Sequence, residues 1–161
     1  MIRSHRIALD PTYKQLAVLR KGAGAARYAW NWALTEADKH YKDTGKTVNF
    51  MELKKRWNKE KPEWTYESGK DATQQPFTNL AGAYQRFFKK QAKIPKLKKK
   101  NKSRDSFYVS NDKFKLNGQT VRLPKAGWVR LREELRFPGK ILSATVSRTA
   151  DRWYISIQVD T

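Results

Sequence analysis

The side chains of this sequence best placed to do chemistry are cations. Between Gln85 and Arg104 there are ten Lys and Arg and no acid, and Lys96, Lys98, Lys99, Lys100, Lys102 and Arg104 fall in its last stretch. Cations at that density neutralise phosphates, which positions a protein on a nucleic-acid backbone without reading its sequence. A flexible, solvated basic linker fits the same run. Two further pairs stand four residues apart on helical stretches: Arg27 with Asn31, and Lys70 with Gln74. Arg27 and Asn31 can reach nucleic acid or brace the helix surface. Lys can contact guanine or phosphate and Gln can pair with adenine, although a solvated helix start is the favoured reading of Lys70 and Gln74 taken alone. Trp128 and Trp153 have faces on which bases stack; core packing is the expected place for both.

Covalent and metal chemistry have little to work with. Cysteine is absent and His5 and His40 are the only histidines. That excludes a cysteine nucleophile, a thiolate zinc site and a multi-histidine site. Gly22-Ala23-Gly24 lacks the third glycine of a phosphate-binding fingerprint and reads as a turn. Glu133 and Glu134 are adjacent, so on a strand they would face opposite sides and could not share a metal. Asp160 ends the last expected strand without partners. His40 sits near a helix end, solvated and interacting with the helix dipole.

The composition agrees with a binding protein. The 161 residues carry 35 Lys and Arg against 15 Asp and Glu, a net charge of +20. Aromatics at 12% rule out a disordered basic tail. Charge of this size destabilises a compact state by self-repulsion, and a polyanion relieves it. The charge is uneven: residues 1–104 hold 25 basic and 9 acidic residues, residues 105–161 only 10 and 6. The basic run lacks a broad apolar face, which favours nucleic acid over a membrane surface. No apolar run is long enough to span a bilayer and no signal-peptide pattern opens the chain. A cytoplasmic protein, without membrane partners, is expected.

The elements that must position these residues change character along the chain. Ile2–Leu9 reads as a strand with Ile7 and Leu9 on one face. Asp10-Pro11-Thr12 resembles a helix start, with Asp10 as cap. Leu16, Leu19 and Ala23 follow at helical spacing, and Gly22 and Gly24 mark a break between two helices. Trp30, Ala33, Leu34, Ala37 and Tyr41 form the clearest helical stripe, ended by Asp43-Thr44-Gly45. Asn49 caps a third helix to about Lys59. Phe77, Leu80, Tyr84 and Phe88 define a fourth, with Pro76 in its first turn or kinking it. Beyond the basic linker the pattern alternates. Asn117-Gly118 signals a hairpin, Trp128–Leu131 a strand, and 140–148 with 153–159 a second hairpin. About five strands are expected there. A lone first strand needs that sheet, so the helices read as an insertion into a small β-barrel.

Several segments together resemble the TnpB (OrfB) family, encoded by many bacterial insertion sequences. Ala26-Arg27-Tyr28-Ala29-Trp30-Asn31-Trp32-Ala33-Leu34 is similar to its "AR-aromatic-xx-N-xx-L" helix. Gln74-Gln75-Pro76-Phe77-Thr78-Asn79-Leu80, then Ala83-Tyr84-Gln85-Arg86-Phe87-Phe88, resembles "QxxLxNLxxAYxxFF". Ile94-Pro95-Lys96-Leu97-Lys98 resembles "FPKFK", and Leu123-Pro124-Lys125-Ala126-Gly127-Trp128-Val129 resembles "LPKxGWV". Pro138-Gly139-Lys140-Ile141, Val146-Ser147-Arg148 and Trp153-Tyr154 resemble the closing strands. Order and spacing agree over essentially the whole chain.

The resemblance implies an RNA-guided DNA endonuclease family linked to transposition, of helix-turn-helix type and related to compact type V CRISPR effectors. It implies an α+β fold: a small wedge β-barrel (1–10 and 105–161) with a four-helix recognition domain inserted after the first strand (11–104, basic linker 89–104). Implied partners are a guide RNA, double-stranded DNA carrying an adjacent motif, and a separate RuvC-like nuclease chain, on the bacterial nucleoid. Phe50, Lys70 and Gln74 match recognition-domain positions that contact the adjacent motif, and Ser110 and Asn111 a wedge loop that does the same. Three departures stand out. Pro76 interrupts the family's helix. Ile94 and Leu97 replace its phenylalanines. The family's nuclease domain uses Mg and a four-cysteine zinc ribbon, for which this sequence has neither the cysteines nor the carboxylates, so no cofactor and no catalytic residue are expected in it. A stand-alone regulator lacking the nuclease is the alternative reading; a ribosomal-type RNA-binding protein fits the composition but not the motifs.

Overall fold

The computed structural model describes residues 1–161. The fold is α+β, in the order β1 (Ile2–Asp10), α1 (Tyr13–Thr44), α2 (Phe50–Glu60), a short 3-10 helix (Glu63–Glu67), α3 (Lys70–Phe88), then β2 (Ser106–Ser110), β3 (Lys115–Asn117), β4 (Thr120–Leu123), β5 (Gly127–Leu131), β6 (Lys140–Thr149) and β7 (Arg152–Asp160).

Three α-helices precede the linker, not four, because Gly22 and Gly24 do not interrupt α1. Gly22 faces β2, where an added Cβ would stand 2.9 Å from the Phe107 ring. The missing side chain allows a helix–strand approach instead of ending the helix. The cap also differs from expectation. Asp10 stays in β1, opposite Arg130, and Thr12 caps α1: its Oγ1 accepts from Gln15 N–H at 3.2 Å while Gln15 Oε1 accepts from Thr12 N–H at 2.9 Å. Gly45, at φ 72°, ends the helix as its sequence signal predicts. Asn49 Oδ1 accepts from Met51 and Glu52 N–H and so caps α2. α3 begins at Lys70, which moves Pro76 into its second turn, where the ring is buried and the helix continues through it.

Six strands follow the linker, because Ser106–Ser110 pairs along its whole length with β6. All seven strands form one antiparallel sheet in the order β2-β6-β7-β1-β5-β4-β3. No pairing joins β2 to β3, so the sheet is not a closed barrel. Helices α1 and α3 pack on β2 instead. β1 joins the two arms: Ile2–Ala8 pair with β7, then Leu9 and Asp10 switch to β5. The first hairpin turns at Gly118-Gln119, one residue later than its sequence signal, since Asn117 already pairs with Thr120.

Two apolar cores result. Ile7, Leu9, Val121, Val129, Trp153, Ile155 and Ile157 make the sheet core, joined by Leu19 and Ala23 of α1. Ala29, Trp30, Ala33 and Leu34 of α1 make the helical core with Leu53, Trp57, Phe77 and Leu80. One unbroken helix thus serves both, so its orientation on the sheet also sets where α2 and α3 stand.

Candidate nucleic-acid interface

On α1, Arg20, Gly24, Arg27, Tyr28 and Asn31 follow one another at helical spacing, so they share a face. They line an open groove of about 690 Å3, together with Lys21, Trp64, Lys100, Asn101, Asp105 and Arg148. Five cations surround one carboxylate, and that carboxylate is committed. Asp105 Oδ1 accepts from Arg27 Nη1 at 3.0 Å, and its Oδ2 accepts from Arg148 Nε at 3.1 Å and Nη2 at 3.0 Å. The clamp holds both guanidiniums while leaving the cluster positive. Arg20 and Lys100 are exposed. Tyr28 and Trp64 meet edge to face with centroids 5.3 Å apart, and 40% and 43% of their surfaces stay exposed. Cations with accessible aromatic rings are what a groove needs to hold a phosphate backbone and its bases.

The basic linker is pinned rather than loose. Lys96 O accepts from Trp30 Nε1, Lys98 O accepts from Asn31 Nδ2, and Lys98 N–H donates to Asn31 Oδ1, each at 2.8 Å. Lys98 lies over the Trp30 ring at 4.4 Å, and burial pushes its ammonium below the usual lysine range. Lys99 N–H donates to Ser103 Oγ, and Arg104 Nη2 donates to Ser147 Oγ at 3.0 Å. Lys96, Lys99, Lys100 and Lys102 keep exposed side chains on this fixed backbone. Asn31 therefore acts on the linker, and its amide is used there on both sides.

A second cluster lies where α3 begins. Asp71 Oδ2 accepts from Ser110 N–H at 3.1 Å and from Ser110 Oγ at 2.7 Å, which ties the end of β2 to the first turn of α3. The same hydroxyl lies 2.6 Å from Asp112 Oδ1, so its one proton is shared between the two carboxylates, and its hydrogen bond to Asp112 holds that carboxyl below the usual range. Lys70, Ser110 and the exposed Asn111 are thereby brought to one junction. Gln74 Nε2 donates to Asn58 Oδ1 of α2 at 2.7 Å, and its Oε1 has no protein donor. Burial and, secondarily, the charge of Lys70 push the Lys61 ammonium down. An anion between two such lysines would relieve that cost. Phe50 stands apart: its ring packs 5.9 Å from Tyr84, and Asn58, Gln74's partner, lies about 12 Å further along α2 at the helical rise.

Other residues singled out by the sequence have structural places. Trp153 is buried in the sheet core, but Trp128 is 47% exposed, with Arg122 beside its ring. The sequence places Trp128 inside; in the structure it sits on the outward face of β5, opposite the face that carries Val129 and Leu131. Asp160 does have a partner, the Met1 ammonium at 3.3 Å. Glu133 and Glu134 follow β5 rather than lying on it, and Glu133 Oε1 is 2.8 Å from Nε2 of the buried His5. No group of three or more His, Asp or Glu is arranged to hold a metal ion, and no helix is long and apolar enough to cross a membrane.

Arg20, Tyr28, Trp64 and Arg148 are groove residues that sequence reasoning left out. The spacing Arg20–Gly24–Arg27–Asn31 was available, but only for a helix that continues through Gly22–Gly24. Arg148 meets Asp105 across 43 residues, with no local signal.

A family model for a helix-turn-helix domain (HTH_OrfB_IS605) matches residues 1–46; here those residues are β1 and the single helix α1 through its Gly45 cap. Two relatives named "Putative RNA-guided DNA endonuclease" align over nearly the whole chain. One, with the suffix InsQ, is from Escherichia coli (strain K12), with 29% identity over 99% of this chain and 40% of its own length. The other is from Streptomyces pristinaespiralis, with 28% identity over 96% of this chain and 40% of its own length. The chain thus spans about two fifths of each of these relatives.

Proposed function

We propose that this chain belongs to the TnpB (OrfB) family, a reading supported by the helix-turn-helix family match over residues 1–46 and by the two relatives at 29% and 28% identity, and that residues 1–161 hold a guide RNA and read a short DNA motif beside its target. The observation that carries the reading is the groove along α1, where five cations and two accessible aromatic rings surround a carboxylate already neutralised by Arg27 and Arg148. RNA phosphates occupy this groove and extend along the exposed lysines of the linker. The motif is read from the α3–β2 junction by Lys70, Gln74, Ser110 and Asn111, with Phe50 at the other end of α2 contacting the flanking backbone. Base pairing with the guide reads the target itself.

In this reading 1–10 and 105–161 act as the wedge and 11–104 as the recognition unit, with α1 coupling them. DNA cleavage belongs to a RuvC-type nuclease outside these residues. The family's magnesium and zinc sites do not fit here: there is no cysteine and no cluster of three acids. Every step derived for this chain is therefore a binding step.

Binding of RNA and of motif-bearing duplex, titrated against salt, tests the proposal. Six to ten phosphate contacts predict a loss of about 10³–10⁵ in affinity between 50 and 200 mM salt. Gln74→Ala is expected to flatten preference among DNA motifs while changing affinity for a motif-free duplex little. Salt-independent binding, or equal loss on every motif, contradicts the reading.

A further inference from the structure

Away from the basic groove, the ends of α1 and α3 enclose a second concavity of about 210 Å3. Tyr41, Val48, Tyr84, Phe87, Phe88 and Ile94 supply most of its wall. Tyr41 and Phe88 are each 51% exposed and Ile94 50%. Tyr84 and Phe88 are nearly parallel, with centroids 6.1 Å apart and planes at 23°. The sequence explains why this surface is bare. Tyr41 extends the Trp30–Ala33–Leu34–Ala37 stripe one turn past the last buried residue of α1, and the half-buried Tyr84 and exposed Phe88 carry the stripe of Phe77 and Leu80 about two turns past Leu80, the last buried residue of α3. Both apolar stripes outrun their partners, and a contiguous exposed apolar patch marks an interaction site.

The surrounding charge selects the occupant. Lys42, Lys46, Lys89, Lys90 and Lys93 are exposed and lie within two residues of the wall in sequence, against one exposed acid, Asp43, in the same range. The wall's one acid, Asp38, is paired with Lys42 at 3.1 Å. A ligand that is flat and apolar at its centre and anionic at its edge suits both features, and a nucleobase with its phosphate has that form. The basic linker joins the two grooves along the chain. The linker leads from Ile94 here to Lys100 in the basic groove, at most about 20 Å of chain, and is pinned between them at Lys96 and Lys98.

We propose that this aromatic groove takes unpaired bases of a single-stranded segment whose phosphates follow the basic linker. The inference rests on the nucleic-acid reading above and adds to it a base-stacking site. The test uses three fluorescent probes with equal numbers of phosphates: a single-stranded oligonucleotide, an abasic strand and a blunt duplex. Phe88→Ala is expected to weaken the single strand about tenfold, a typical stacking loss, and to leave the abasic strand, the duplex and the salt slope unchanged. Tyr41→Ala should show the same selectivity, and thermal melts establish that both variants fold. Equal loss on all three probes, or none on the single strand, overturns the proposal. So does a concentration-dependent dimer abolished by Phe88→Ala, which would seat a second copy in the groove. If the wild type binds no probe, the nucleic-acid reading fails as well; if it binds all three and neither variant discriminates, only the stacking site falls.

Discussion

Replacing Asn31 with Ala should free the basic linker without unfolding the helices that carry it. The Asn31 amide makes two 2.8 Å hydrogen bonds to the backbone of Lys98, one in each direction. At about 0.5–1.5 kcal/mol net for each bond, their loss lowers the local opening free energy by about 1–3 kcal/mol. Amide exchange at Lys98 should then accelerate about 5- to 150-fold. Global stability should move much less, because Ala is a better helix former than Asn by up to about 0.7 kcal/mol and this opposes the loss. The Trp30–Lys96 bond remains as a partial anchor. RNA affinity should fall severalfold, since cations on a loosened backbone must be ordered on binding. Hydrogen exchange read residue by residue, with a melt in parallel, separates these effects. Unchanged exchange at Lys98, or a collapse of the whole fold, would refute the account of a pinned linker.

Three further outcomes follow from the same structure. Asp71→Ala removes the one carboxylate oxygen, Oδ2, that accepts both hydrogen bonds from Ser110, so at about 0.5–1.5 kcal/mol for each bond the stability loss should be about 1–3 kcal/mol; a motif-library binding assay should show selectivity falling with non-specific affinity retained. Gly22→Ala gains about 1 kcal/mol of helix propensity but places a methyl 2.9 Å from the Phe107 ring; overpacking costs about 1–3 kcal/mol, so denaturant melts should show a net loss that Phe107→Leu in the same chain recovers. Lys98→Met tests burial of charge: the folded-state pKa of Lys98 is lowered by desolvation, so the unfolded chain binds more protons in the window just below 10.5 and wild-type stability should rise with pH there. That rise should vanish in the variant, and a wild-type–variant difference independent of pH would contradict it.

Much of the fold was legible where the signal is local. The stripe from Trp30 to Tyr41, the Gly45 stop, the Asn49 cap and the alternation of β7 all stand where periodicity and capping chemistry place them. Errors arose where a distant partner decides. Gly22 looks like a break unless Phe107, far along the chain, is known to fill its space. β2 is five residues long beside a basic run and is defined by β6, some 40 residues away. A short meander with an orphan first strand has the pattern of a barrel, yet helices rather than β3 pack on β2. The site divides in the same way. A charge run is visible in any sequence, whereas the groove requires one continuous α1 and an Asp105 clamp between Arg27 and Arg148. Asn31 could be placed on an outward helix face, but nothing in its neighbours tells that its amide would read the backbone of Lys98.

The central claim is that this chain holds one guide RNA. The direct test is to isolate it from its native cells and sequence the RNA that remains bound. The account predicts one abundant species with a constant structured part and a variable end. A mixture that mirrors total cellular RNA would contradict it and leave a non-specific binder.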